Sequence, residues 1–279
     1  GSESKMPLTR RIGNTLFALL LGFLSKKKVR DTASGMRVIR AEALSKLLPL
    51  PDGLHFTPAM SARALMDDEV RIAEIDMRYH ERIGASKLRV LRDGLRFLNV
   101  ILSAAAYIRV SRLTIPIIAT LNLAAGLIML YPTGFYLASG RLEEWMFYRF
   151  AFAGMLGTIA VTALCATIVS EHVSALTLLR YERFGARARG LWRYENLRLL
   201  TVAAGALWMI GAFLNLRGVH ELLTSGHVSL HWSRVMLGAF FSINLAQVVG
   251  TLCSVKIIRA LHQRQPFIRP EAPTPRANR

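Results

Sequence analysis

Four long stretches of this chain contain no Asp, Glu, Lys or Arg. They cover residues 113–140, 150–170, 199–216 and 235–255, and are 28, 21, 18 and 21 residues long. A helix that crosses a bilayer needs roughly 17–25 mainly apolar residues. Buried helices of a soluble core are the alternative, but four such runs in succession favour a membrane domain with four spans.

The overall charge agrees with a membrane protein. The 279 residues are 52% hydrophobic and yet carry a net charge of +18. Soluble basic proteins rarely combine these properties, whereas membrane proteins with charged cytoplasmic segments do so routinely. The apolar content excludes disorder. Because the cations follow the membrane topology, we expect anionic membrane lipid as a partner and no nucleic acid.

The charges between the uncharged runs predict an orientation. Residues 177–198 contain six arginines against two glutamates, and the tail after Lys256 contains five against one. In contrast, segments 139–148 and 217–233 each contain a single arginine. The positive-inside rule therefore predicts an integral membrane protein with the 177–198 loop and both termini in the cytoplasm.

The predicted organisation has four parts. These are part of an α/β domain at 1–87, an interfacial amphipathic helix at 88–112, a membrane domain at 113–258 and a basic cytoplasmic tail at 259–279. The predicted transmembrane helices cover about 113–138, 148–170, 198–216 and 235–257.

The first 113 residues are too polar to span a membrane and alternate helix and strand signals. The patterns predict helices at Thr9–Ser25, Ala41–Leu48 and Pro58–Met66, the last capped by Thr57. They also predict a loop that enters a short strand within Ser34–Ile39, and a strand at Val70–Tyr79. This order is typical of an α/β domain.

The segment from Leu88 to Val110 has the pattern of an amphipathic helix. Its polar stripe includes Arg92, Asp93 and Arg96, and its apolar side includes Leu95 and Ile101. An arginine-bearing stripe directly before a first span favours a helix on the inner membrane surface. The solvated face of a soluble helix is the alternative.

The loop before this helix carries a cation at each end, Arg82 and Lys87. Gly84 permits a tight turn, and Ser86 can cap the following helix. Both cations could reach a pyrophosphate, to which the helix N-terminus adds partial positive charge. A lipid-facing cationic loop explains the same residues, and the loop by itself leaves both interpretations open.

Three segments together carry a family resemblance. The motif Arg82-x-Gly84-x-Ser86-Lys87, after Ala73-Glu74-Ile75, resembles the end of the catalytic domain in family 2 glycosyltransferases. The group is that of the dolichyl-phosphate mannose synthase-like, polyprenyl-phosphate glycosyltransferases. Upstream, Asp31-Thr32-Ala33-Ser34-Gly35-Met36-Arg37 is similar to the family's Asp-x-x-Ser-Gly-aromatic/Met segment, and Arg11 and Asn14 lie on the helix before it. The resemblance covers about residues 1–110.

The resemblance implies a GT-A fold and an inverting reaction. A sugar would pass from a nucleotide-diphospho-sugar to a polyprenyl phosphate at the cytoplasmic face. It also implies roles for seven residues: Asp31 as catalytic residue, Arg82, Ser86 and Lys87 at the substrate phosphates, and Ser34, Gly35 and Arg37 in the acceptor loop. Asp31 would orient the acceptor or hold a metal-bound group, with a backbone-capping aspartate as the alternative. For Arg37 the alternative is a structural or lipid-facing role.

The sequence departs from the family in its acidic motifs. The nucleotide-binding strands and the metal-binding Asp-x-Asp motif of the family's first half are not found here. Phe56-Thr57-Pro58-Ala59 stands where the family often has an acidic residue, and Asp67-Asp68-Glu69 is interpreted as a solvated turn. The chain therefore looks like a C-terminal part, or one subunit of a split enzyme, inactive by itself. A divalent metal, Mg or Mn, is expected for the full-length enzyme, with ligands outside this chain.

A non-enzymatic role is the competing interpretation. The four spans could form a lipid-linked-sugar translocase subunit or a scaffold, and a homo-oligomer is possible in either class. His220, His227 and His231 share one outer loop, but a bland polar loop explains them better than a metal site.

Overall fold

The computed structural model describes residues 8–25, 27, 35–67, 69–75, 90–177 and 197–268. The chain divides into two compact units, residues 1–113 and 114–279. The described residues form these helices: α1 Leu8–Ser25, α2 Ala41–Leu47, α3 Phe56–Met66, α4 Val90–Ile108, α5 Val110–Ser139, a short 3-10 helix Glu144–Met146, α6 Phe147–Thr177, α7 Leu197–Ser225 and α8 Trp232–Ile268.

The first unit is built around α3, which packs against α1, α2 and α4. A helix that is apolar on all sides is a core helix, and nearly every residue of α3 is buried. The main core joins three helices through Leu21, Leu24, Ala62, Leu65, Met66, Ile101, Ala104 and Ala105. A smaller cluster contains Leu47, Met60, Ala64 and Val70.

The start of α3 differs from the prediction. The helix begins at Phe56, with His55 at the N-cap position and no side-chain cap. Thr57 therefore lies within the first turn and does not cap the helix. The two helices predicted before it are confirmed, each within one residue at its ends.

The predicted strands are wrong in the part of the chain that the structure describes. Residues 35–40 and 70–75 have no regular secondary structure, and no strand occurs among the described residues. A strand needs a neighbour to pair its backbone N–H and C=O groups, and alternation of apolar and polar residues does not supply one. The described part of the first unit is thus helical, and the rest of the second predicted strand, 76–79, lies outside the described residues.

Helix α4 is confirmed, but its faces are not divided as predicted. Asp93, assigned to the polar stripe, is only 5% exposed, whereas Leu95, assigned to the apolar side, is 67% exposed. The buried row runs from Asp93 through Phe97 to Ile101, since this face packs against α3. The location of α4 on a membrane surface stays a prediction.

The long apolar helices lie in the second unit, apart from the first four residues of α5. The segments Val110–Ser139, Glu144–Thr177, Arg198–Ser225 and Trp232–Arg264 are each long and apolar enough to cross a membrane. The four-helix prediction is thereby confirmed. Helix α8 packs along both α6 and α7, and their shared core contains Cys165, Ile168, Leu200, Ala204, Val248 and Val255. In α5 Pro132 is the one buried residue, and the other residues of this helix are partly or fully exposed.

Glycines end two of these helices. Gly140 follows α5 with φ 69°, and its N–H donates to the Tyr136 carbonyl at 2.8 Å. Gly226 follows α7 with φ 66°, and its N–H donates to the Leu222 carbonyl at 3.0 Å. Left-handed glycine caps of this kind satisfy the last helical carbonyls, and they set the start of the 140–146 and 226–231 connections.

Candidate functional site

Most of the residues predicted for the site fall in segments that the structure leaves undescribed. Five of the seven lie outside the described residues: Asp31, Ser34, Arg82, Ser86 and Lys87. Gly35 and Arg37 lie at the start of the segment that leads into α2. Asn14 is partly buried on α1.

The Gly35–Arg40 segment leads into α2 and contacts the small core of the first unit. Ile39 packs against the small core of Leu47, Met60, Ala64 and Val70. Gly35 is exposed, and a Cβ built there would meet no atom within 4 Å. Met36 is 71% exposed, whereas Arg37 is partly buried. The described surroundings therefore do not require a glycine at position 35.

The acidic turn after α3 has a structural role. Asp67 is buried, and its Oδ1 accepts a hydrogen bond from the Glu69 N–H at 2.9 Å. Glu69 Oε2 lies 2.7 Å from Lys46 Nζ. The prediction of a solvated turn is wrong for Asp67, because its carboxylate caps the turn. The described residues contain no group of three His, Cys, Asp or Glu side chains that could hold a metal ion.

Two cations from distant positions bind the C-terminal end of α3. Lys27 Nζ donates to the Asp67 carbonyl at 2.7 Å and to the Val70 carbonyl at 3.4 Å. Arg109 Nε donates to the Met66 carbonyl at 3.3 Å. Such carbonyls lack helical donors and carry partial negative charge, so they attract cations. Lys27 thereby fixes the chain four residues before Asp31.

Helix α6 contains four buried polar residues that were not predicted from the sequence. Thr167, Glu171, His172 and Ser174 are each less than 10% exposed. The hydroxyl groups of Thr167 and Thr114 share a hydrogen bond of 2.8 Å. His172 Nδ1 lies 2.8 Å from the Ile168 carbonyl. Arg259 of α8 is close enough to interact electrostatically with the same ring.

In the sequence, the feature that could have indicated these buried polar residues is the Glu171-His172 pair, which follows an uncharged run of 21 residues. The span predicted at 148–170 ends just before this pair, but α6 continues to Thr177. Buried ionisable groups in a membrane helix are costly and commonly mark functional positions.

The histidines near the ends of α7 and α8 do not assemble a metal site among the described residues. The loop is instead organised by Glu221, which accepts from Arg217 Nε, the Ser229 N–H and the Ser229 hydroxyl, each at 2.9 Å. His231 Nδ1 lies 2.8 Å from the Ser233 hydroxyl at the start of α8.

The four long apolar helices define an integral membrane protein.

The chain is similar to a dolichyl-phosphate hexose transferase from Haloferax volcanii, with 37% identity over 97 residues. The match covers 34% of this chain and 40% of that protein. No protein-family model matches the chain, and no solved structure matches it. The similarity supports a relationship to polyprenyl-phosphate glycosyltransferases at the level of the family.

Proposed function

We propose that this chain is the acceptor- and membrane-binding part of a membrane glycosyltransferase. The enzyme would move a sugar from a nucleotide-diphospho-sugar to a polyprenyl phosphate at the cytoplasmic face. The observation that carries the proposal is the 97-residue similarity to the dolichyl-phosphate hexose transferase. The order of the Asp31–Arg37 and Arg82–Lys87 motifs before a four-helix membrane domain supports it.

The chemistry needs cations more than a strong general base. The acceptor phosphate is already an anion, so catalysis depends on bringing two negatively charged substrates together and stabilising the departing diphosphate. Arg82 and Lys87 would supply the positive charge. Lys87 precedes the first residue of α4 by three positions, so the N-terminal end of that helix would add its partial positive charge.

The acceptor loop is assigned to the Asp31–Arg37 segment. Its N-terminal side begins close to Lys27, which the Asp67 and Val70 carbonyls hold in place just after α3. Its C-terminal side is held by Ile39 in the small core. A loop fixed at both ends with an exposed glycine between them suits close approach of a phosphate to the backbone. Asp31 would then orient the acceptor within this loop.

Donor binding is assigned to residues outside these 279. The first unit exposes apolar side chains that a further domain or chain could cover, since Val38 is 103% and Ile75 86% exposed. A divalent metal would help the diphosphate to leave. The described residues do not supply a set of ligands for it, and we therefore assign it no step on this chain.

The test is Lys87→Ala in the complete enzyme. Transfer of a radiolabelled sugar into a polyprenyl-phosphate fraction should fall at least tenfold, with membrane insertion unchanged. Lys46→Ala is the matched control, because this exposed lysine pairs with Glu69 and should leave turnover unaltered. Unchanged turnover in Lys87→Ala contradicts the assigned role. Absence of nucleotide-sugar binding by the complete protein would instead favour the scaffold or translocase class.

A further inference from the structure

Where α5 connects to α6, the Arg149 side chain lies against two aromatic rings. The Arg149 guanidinium carbon is 4.9 Å from the ring centroid of Tyr131 and 5.8 Å from that of Trp145. The two rings contact each other at 5.6 Å, and Phe135 stacks on Tyr131 at 6.3 Å. Tyrosine and tryptophan prefer the boundary between lipid and water. The cluster therefore holds a guanidinium at the depth of lipid headgroups.

The charge of Arg149 is not neutralised by the described residues. Among the described residues, its guanidinium lies over the two rings and forms no ion pair with a carboxylate. Glu143 and Glu144 are the acidic residues of this connection, and neither pairs with Arg149. The first turn of α6 contains no acidic residue. This guanidinium remains available to an anion from the membrane.

An apolar groove begins at Arg149. It has a volume of about 540 Å³ and is lined, besides Arg149, by Ile128, Tyr148, Ala151, Phe152 and Met155. Along α6, positions 149 to 155 cover about 9 Å at 1.5 Å per residue. The groove therefore offers a cation at one end and hydrocarbon contacts along its length.

We propose that the groove lined by these six residues, here called the Arg149 groove, binds one anionic phospholipid. The phosphodiester would accept charge-assisted hydrogen bonds from Arg149, and one acyl chain would lie along Phe152 and Met155. If the positive-inside orientation holds, this lipid belongs to the outer leaflet. The proposal goes beyond the transferase function and does not depend on it.

The charge of the groove selects the phospholipid over a polyprenyl phosphate. A phosphodiester carries one negative charge, which one guanidinium balances. A phosphate monoester carries up to about two, and Arg149 is the one cation among the described residues that line the groove.

The experiment is native mass spectrometry of the full chain, exchanged in detergent with phosphatidylglycerol or phosphatidylcholine. The unaltered protein should retain one phosphatidylglycerol and at least fivefold less phosphatidylcholine. Arg149→Gln should lose that preference. Arg141→Gln is the control, since this arginine lies exposed in the same connection and makes no ring contact. Ala151→Phe should reduce retention by filling the groove without a change of charge.

Three results overturn the proposal. Equal retention of both lipids by the unaltered protein removes the role of charge. Equal loss in Arg141→Gln and Arg149→Gln shows a diffuse electrostatic effect. In the third result, a polyprenyl phosphate at equal concentration displaces phosphatidylglycerol from the unaltered protein but not from Arg149→Gln. The groove would then bind the polyprenyl phosphate and not the phospholipid. None of these measurements depends on transferase activity. A negative result for lipid binding would therefore not bear on the proposed function.

Discussion

Lys27 Nζ lies 2.7 Å from the backbone carbonyl of Asp67, forty residues further along the chain. The same amine reaches the Val70 carbonyl at 3.4 Å. One side chain thus connects the end of α1 with the turn after α3, and it does so immediately before the segment that contains Asp31. The acceptor loop proposed above begins from this attachment.

Lys27→Met should loosen the turn after α3. Hydrogen bonds to charged groups contribute about 1.5–3 kcal/mol, and methionine keeps the length of the side chain without the donors. We expect faster amide hydrogen exchange between residues 64 and 70, measured by mass spectrometry on the full chain in detergent. Helix α8, which lies in the other unit, should exchange as before.

The control for this variant is Lys46→Met. Lys46 pairs with Glu69 at the same turn, but its side chain is 40% exposed, and exposed ion pairs contribute about 0–1 kcal/mol. Its effect on exchange should be clearly smaller. Equal exchange in Lys27→Met and the unaltered protein would show that the Lys27 contacts do not hold the turn.

The helices were predictable because their signals are local. Uncharged runs identify α5 to α8, and apolar spacing identifies α1 and α2, since neither signal depends on distant residues. The strand at Val70–Tyr79 was predicted from alternation, a signal that becomes a strand only with a pairing partner. The short strand predicted within Ser34–Ile39 depends on such a partner as well.

The site was harder to predict for a related reason. The contact of Lys27 with Asp67 joins positions forty residues apart, and no spacing rule relates them. Asp93 was assigned to a solvated stripe, because the sequence does not show that this face of α4 packs against α3. Glu171 and His172 looked like the end of a span, since their burial depends on α8.

Gly238→Leu should separate α7 from α8. Asn215 Nδ2 donates to the Gly211 carbonyl at 2.8 Å and to the Ser242 hydroxyl at 3.2 Å, and that hydroxyl donates to the Gly238 carbonyl at 2.8 Å. A Cβ at position 238 would overlap the Asn215 amide. Overpacking costs typically 1–3 kcal/mol, so the thermal unfolding midpoint in detergent should fall.

Gly250→Leu provides the comparison within the same helix. A Cβ at position 250 meets no atom within 4 Å, and the substitution should leave the midpoint close to that of the unaltered protein. If both variants unfold at the same temperature, the close approach of α8 to Asn215 does not contribute to stability.

The orientation predicted from charge can be measured with single cysteines. Cys165 and Cys253 are the free cysteines of the chain, and both are first replaced by alanine. A cysteine introduced at Arg187 should react with a membrane-impermeant maleimide in inside-out vesicles only. A cysteine introduced at His227 should react in intact cells only. The reverse pattern would contradict the placement of both termini in the cytoplasm.

Thr167→Val should weaken the attachment of α6 to the start of α5. Thr167 is 1% exposed and shares a hydrogen bond of 2.8 Å with Thr114. Interhelical hydrogen bonds in membrane proteins average about 0.6 kcal/mol and reach about 1.7, so the expected loss is of that size. Thr162→Val is the control, because the Thr162 hydroxyl is exposed and bonds to the Thr158 carbonyl of its own helix at 2.8 Å.

A double-mutant cycle with Thr114→Val separates this hydrogen bond from the other effects of the substitution. Thr167 Oγ1 also lies 2.5 Å from the Ala163 carbonyl, so Thr167→Val alone removes more than the contact between the helices. If the hydrogen bond stabilises the pair, Thr114→Val should cost less in the Thr167→Val background than in the unaltered protein. Strictly additive unfolding free energies would mean that the two hydroxyl groups, although adjacent, do not hold α5 against α6.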